Sequence, residues 1–123
     1  MADTGRSYTE LTAWKNAMML AVAVYEASKS WPSDERFRLT SQVRRAVVSI
    51  SSNVAEGQGR NGQREFLNHL SIAHGSLCEV ETQLHLAQRL GYLDSAQLSR
   101  LLGLCVDVGN PLRGLIRHLR KSG

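Results

Sequence analysis

Proline, cysteine and lysine are scarce in this chain, and each scarcity removes a class of structure or function. Two prolines, Pro32 and Pro111, leave long stretches of backbone uninterrupted, which permits long helices. The two cysteines, Cys78 and Cys105, fall inside helical patterns rather than at disulfide-framework or Cys-x-x-Cys spacing, so both are read as reduced, buried thiols. No apolar run approaches the ~20 residues of a membrane span, and the longest, residues 17–24, ends at Tyr25-Glu26, so no membrane partner is expected. Residues 1–6 carry Asp3 and Arg6 and no signal-peptide pattern, which makes the cytoplasm the expected location. Ser-His-Asp, Cys-His, Walker and dinucleotide patterns are missing, and no period-two segment predicts a strand.

What the chain does contain is helical periodicity. With 123 residues, 42% of them hydrophobic and 21% charged, it fits one domain spanning 1–123. Four amphipathic patterns predict helices at about 10–30, 35–58, 63–90 and 95–120. In the first, Leu11, Trp14, Met18, Ala21, Tyr25 and Ser28 are read as the inward face, widened by Ala17, Leu20, Val24 and Ala27, and Pro32 stops it. In the second, Leu39, Val43, Ala46, Val47, Ile50, Val54 and Gly57 step by three or four residues. The third carries Phe66, Leu70, Ala73, Leu77, Val80, Leu84 and Ala87 at near-heptad spacing and stops at Gly91. The fourth, capped by Asp94 or Ser95, turns Leu98, Leu101, Leu102, Cys105, Val108, Leu112, Leu115, Ile116 and Leu119 inward, with a kink expected near residues 107–109 before Pro111. Short connections between such helices predict an all-α, antiparallel up-down-up-down four-helix bundle. Gly75, Ser76, Gly103 and Gly109 mark expected close approaches of helices. The second face of helix three, with Ile72, Ser76, Glu79, Gln83 and Leu86, is half apolar and is expected to touch another subunit.

The charges are unevenly made: 12 arginines against three lysines give a net charge of +4 with 11 acidic residues. Arginine's rigid fork suits carboxylate pairs and phosphate alike. Arg44, Arg45, Asn53, Glu56, Glu79 and Glu81 form the polar set nearest the core. Leaving them unpaired there would cost several kcal/mol each, so arginine–carboxylate pairing between helices two and three, or between subunits, is expected. Arg113, Arg117, Arg120 and Lys121 make a basic stripe on helix four, readable as a favourable charge at a helix C-terminus or as a phosphate-binding surface. Arg36, Arg38, Arg45, Arg60 and Arg64 mark a second basic region around helix two, read as lacking interleaved aromatics, so contact with RNA or DNA is expected at the backbone.

Two constellations invite chemistry. His74, Cys78, Glu81 and His85 offer metal-ligand types along helix three, but one straight helix cannot wrap a metal tetrahedrally, and no metal or other cofactor is expected. Arg64 to His69 and Arg113 to His118 repeat the Arg-x-x-x-x-His spacing of HEPN-class ribonucleases, in which His serves as general base and Arg stabilises the phosphorane. With so many arginines, such a string arises by chance, and no enzyme activity is expected.

Leu11-x-x-Trp14-x-x-Ala17, Leu39-Thr40-x-Gln42-x-Arg44-Arg45-Ala46, Ser49-Ile50-x-x-Asn53-x-Ala55-Glu56-Gly57, Glu65-Phe66 and Ile72-Ala73-x-Gly75-Ser76-x-x-Glu79-x-Glu81-Thr82 together resemble the four helix bundle protein family, also called the 23S rRNA intervening-sequence protein family. The resemblance implies an up-down-up-down bundle, a homopentamer, a bacterial source and no established molecular activity, so no catalytic residue is carried over. It also implies kinship with the accessory protein of diversity-generating retroelements, a basic pentameric bundle that binds nucleic acid and a reverse transcriptase. The expected partners are therefore further copies of the chain, RNA or DNA, and an unidentified protein.

Overall fold

A computed structural model describes Tyr8 and residues 11–122 of the chain. Four helices account for most of these residues: α1 (Thr12–Ser28), α2 (Leu39–Gln58), α3 (Gln63–Arg89) and α4 (Ser95–Ser122), with a short 3-10 turn at Ser33–Glu35 before α2. No strand occurs among the described residues. The expected start of the first helix at Glu10 lies outside them. The second helix begins at Leu39 rather than near residue 35, because Arg38 leaves the helical region at φ −122, ψ −110. Arg36 and Arg38 therefore stand on the connection, not on the helix.

Each helix packs against its sequence neighbours, and α1 also packs against α4, while the diagonal pairs do not meet. Between α2 and α3 the cross-helix pairings run in opposite order, as antiparallel neighbours do. Ser49 meets Ser76, Asn53 meets His69, and Gly57 lies under Phe66. Asn16 reaches Asp107, and Gln63 reaches the Leu119 carbonyl. The centre is aliphatic: Leu20, Val47, Ile50, Leu70, Leu84 and Leu112 are fully buried. Each such side chain contributes roughly 1.5–3 kcal/mol by leaving water.

The connections are built from local chemistry. Gly91, at φ 84, closes α3 with a Schellman motif in which Tyr92 N–H bonds the Ala87 carbonyl and Gly91 N–H bonds that of Gln88. Asp94 then caps α4 in a reciprocal box: Gln97 N–H donates to Asp94 Oδ1, and Asp94 N–H donates to Gln97 Oε1, both at 2.8 Å. Glu35 accepts from the Leu39 N–H at the start of α2 and from the Tyr92 hydroxyl at 2.8 Å, tying the two loops at that end of the bundle. That carboxylate holds the Tyr92 hydroxyl above its ordinary pKa.

Several expectations change. On α1, Ala17, Leu20, Val24 and Ser28 are buried as expected and Ala13 and Ala23 join them, whereas Met18 and Tyr25 are exposed. A Cβ on Gly75 or Gly103 would meet nothing within 4 Å, so neither marks a helix crossing within the chain. The close crossing is at Gly57, where a Cβ would lie 2.7 Å from His69 Cβ and 2.9 Å from Phe66 Cδ1. Cys78 is exposed rather than buried; Cys105 is buried as expected. Ser76 and Gln83 are turned into the chain, leaving Ile72 and Leu86 as the exposed apolar part of the outer α3 face. No described helix is long and apolar enough to cross a membrane.

Candidate polyanion-binding surface

The last turns of α4 place Arg113, Arg117 and Arg120 at spacings of four and three, which brings them to one face. That face forms a groove of about 340 Å³ with α3, completed by Ser71, His74 and Ile116. None of the lining residues is a carboxylate. Two features hold the groove's shape. Gln63 at the start of α3 donates to the Leu119 carbonyl, one of the end carbonyls that the helix cannot satisfy itself. Gly109 leaves room for the Arg113 guanidinium, which would lie 2.9 Å from any Cβ there, and Arg113 Nη2 donates to Asn110 Oδ1 at 2.9 Å. Lys121 is exposed near the same helix end but does not line the groove.

The second expected basic region divides. Arg60 and Arg64 lie at the far end of α2, where Arg60 pairs with Glu65 at 3.8 Å in an exposed ion pair of small energetic weight. Arg36, Arg44 and Arg45 instead gather at the start of α2 in a groove of about 570 Å³ with Tyr25 and Phe37. A 20-residue helix is about 30 Å long, so the two groups cannot serve one contact point. Arg38 is exposed at the N-cap of α2. The reading that aromatics are missing here is corrected by Phe37, which stands between Arg36 and Arg38 and is 84% exposed. Its position in the sequence was the signal for it.

The polar set near the core is not one network. Within the chain Arg44 and Arg45 make contacts other than the expected arginine–carboxylate pairing between α2 and α3, and Lys29–Glu26 and Arg60–Glu65 form exposed ion pairs. Arg44 turns to α1: Nε donates to Ser28 Oγ at 2.9 Å, Nη2 donates to the Tyr25 carbonyl, and the guanidinium lies 4.7 Å from the Tyr25 ring centroid. Arg45 donates to Ser41 Oγ, one turn back on its own helix. Asn53 Nδ2 donates to the Ser49 carbonyl and hydroxyl, leaving Oδ1 to face His69 Nδ1 at 3.0 Å. That geometry assigns the ring proton to Nδ1. Glu56 and Glu79 are exposed, with Gln83 donating to Glu79, and Glu81 is half-buried toward α4, where its charge bears on Cys105. The set fails to converge because consecutive polar positions on α2 face different neighbours, α1 on one side and α3 on the other.

His69 faces Asn53 on α2, and His118 does not line the groove that holds Arg113; His74 of α3 does. No group of three or more His, Cys, Asp or Glu side chains among the described residues is arranged to hold a metal ion.

Fold and site together define an all-α four-helix bundle with an arginine-lined groove at one end. Residues 9–114 match the 23S rRNA-intervening sequence protein family, and the chain belongs to that family. Comparison with curated proteins gives no match. Among solved structures, the chain is similar to a protein of unknown function from the S23 ribosomal protein family of Bacteroides thetaiotaomicron VPI-5482. The TM-score is 0.79 and the identity 23%, over 85% of this chain and 95% of that one. This likeness is one of fold. The family and its solved relative are of unknown function and bring no enzymatic activity with them.

Proposed function

We propose that this protein is a non-enzymatic, homo-oligomeric bundle of the cytoplasm that binds the phosphate backbone of RNA or DNA through the α3–α4 groove. The observation that carries the reading is the convergence of Arg113, Arg117 and Arg120 with His74 and Ser71 around a cleft with no lining carboxylate. Arginine forks in such a place meet no carboxylate in the groove lining and are matched in geometry to phosphate oxygens. Assembly strengthens the attraction: in the pentamer that the family resemblance implies, five copies of net charge +4 carry about +20.

Exposed apolar side chains support assembly. Met19 (59%) and Val22 (62%) project from α1, while Ile72 (52%) and Leu86 (46%) project from α3, and these two helices lie diagonally across the bundle. Closed rings need two different complementary surfaces on each subunit, which two apolar faces on opposite helices supply. In this reading the copy-to-copy contact lies on these apolar faces rather than at Arg44 and Arg45, which make hydrogen bonds to Ser28 and Ser41 of their own chain.

Titrating labelled RNA with the purified protein across a salt series tests the reading. Binding is expected to weaken steeply with salt, and Arg117→Ala to reduce the slope of log affinity against log salt by about 1. Absence of binding at low salt would leave a protein–protein adaptor. Cleavage of the RNA that disappears with His118→Ala would establish a ribonuclease instead.

A further inference from the structure

The groove between α1 and the start of α2 is distinct from the α3–α4 groove and differs from it in one respect: it combines cations with aromatic rings. Arg44 is held on the Tyr25 ring and by two hydrogen bonds, which use two of its five N–H groups and fix the direction of the rest. Arg36 lies 5.3 Å from the centroid of the Phe37 ring. Arg45 is exposed beside them, and the groove lining contains no carboxylate. Phe37 is 84% exposed, so its ring offers an apolar face that a stacking ligand can cover.

We propose that this groove takes an unpaired stretch of nucleic acid, with a base stacked on Phe37 and the flanking phosphates on Arg36, Arg44 and Arg45. The inference rests on the nucleic-acid reading above and narrows it to single-stranded segments. A duplex keeps its base faces stacked inside and offers the Phe37 ring nothing to cover it. An acidic peptide would satisfy the guanidiniums and leave the ring in water. A single strand alternates π-faces with anions, which is the pattern of this groove.

The test compares a labelled oligo-uridine strand with a blunt RNA duplex of the same length by fluorescence anisotropy at low salt, using the full chain. Phe37→Ala is expected to weaken the single strand about 5- to 150-fold and to leave the duplex within about twofold, because stacking contributes ~1–3 kcal/mol per base. Phe37→Trp is expected to restore the affinity. Phe37 is exposed, so its loss leaves the core intact, and the unchanged helical circular dichroism of the variant checks this.

If Phe37→Ala leaves the single strand unaffected while Arg117→Ala still weakens it, the inference falls and the backbone-binding reading survives. Wild-type protein that binds neither polymer ends both. Equal losses for strand and duplex, competition by poly-glutamate as strong as by unlabelled strand, or a change in oligomer mass caused by Phe37→Ala would each overturn the assignment.

Discussion

Asn16 on α1 donates through Nδ2 to the backbone carbonyl of Asp107 on α4 at 2.8 Å, and that carbonyl is the one Pro111 leaves without its helical partner. An α-helical carbonyl accepts from the N–H four residues ahead, and proline has none. Helix α4 nevertheless runs unbroken from Ser95 to Ser122. The side chain of a neighbouring helix thus repairs the defect while fastening α1 to α4.

The coupling is measurable by a double-mutant cycle. Asn16→Ala is expected to cost about 0.5–1.5 kcal/mol in urea unfolding at fixed protein concentration. In a Pro111→Ala background, where residue 111 regains its N–H, the same change is expected to cost distinctly less. Equal costs in both backgrounds would show that the two sites are independent.

Gly57 and Gly75 are expected to respond to alanine with opposite signs. At Gly57 the added Cβ meets His69 Cβ at 2.7 Å and Phe66 Cδ1 at 2.9 Å, so α2 and α3 must separate, at about 1–3 kcal/mol. At Gly75 a Cβ meets nothing within 4 Å, and a mid-helix alanine gains about 0.5–1 kcal/mol through backbone entropy. Thermal unfolding of the two variants beside the wild type reads the difference; a destabilised Gly75→Ala would mean that another copy crowds that face.

These two glycines also show what could be read from the chain. The stripe from Phe66 to Ala87 on α3 and that from Leu39 to Gly57 on α2 are buried throughout, because charged residues on the other faces leave one apolar direction. On α1, Met18 and Tyr25 stand outside the core despite their spacing, because the helix is apolar almost all round, with Met19 and Val22 outside as well, so periodicity cannot tell core from surface there. The shared face of Arg113, Arg117 and Arg120 follows from helical spacing alone. Its union with His74 depends on the register between α3 and α4, which no local pattern encodes. Burial near the core demands a partner for Arg44, but composition does not say which: in place of a carboxylate, a serine hydroxyl, a carbonyl and an aromatic ring serve.

Cys78 and Cys105 are expected to differ sharply toward thiol reagents. Burial first, and the Glu81 charge second, push the Cys105 thiol from 9.0 up to about 12, so it stays protonated and shielded, whereas Cys78 is exposed. A chromogenic disulfide reagent at neutral pH should titrate one thiol in the native protein and two in denaturant. The raised pKa also fixes a sign: the folded state holds its proton more tightly, so this contribution is complete below pH 9 and is lost as pH rises from about 9 to 12. Cys105→Ala should remove that part of the alkaline fall in unfolding midpoint; an unchanged profile would assign the fall to other groups.

A head-to-tail assembly through two different faces makes a prediction that a two-fold interface does not. Val22→Asp on α1 and Ile72→Asp on α3 each place a charge on an exposed position, so neither disturbs the core. If copies join α1 face to α3 face, each variant alone lacks one half of every contact and should be monomeric by light scattering. Mixed together, the two variants still possess one intact α1 face and one intact α3 face between them. They should therefore form a one-to-one heterodimer and stop there, since the remaining two faces are both spoiled. An isologous contact through either face alone would give a different result: one variant would keep the wild-type mass, and mixing would restore nothing.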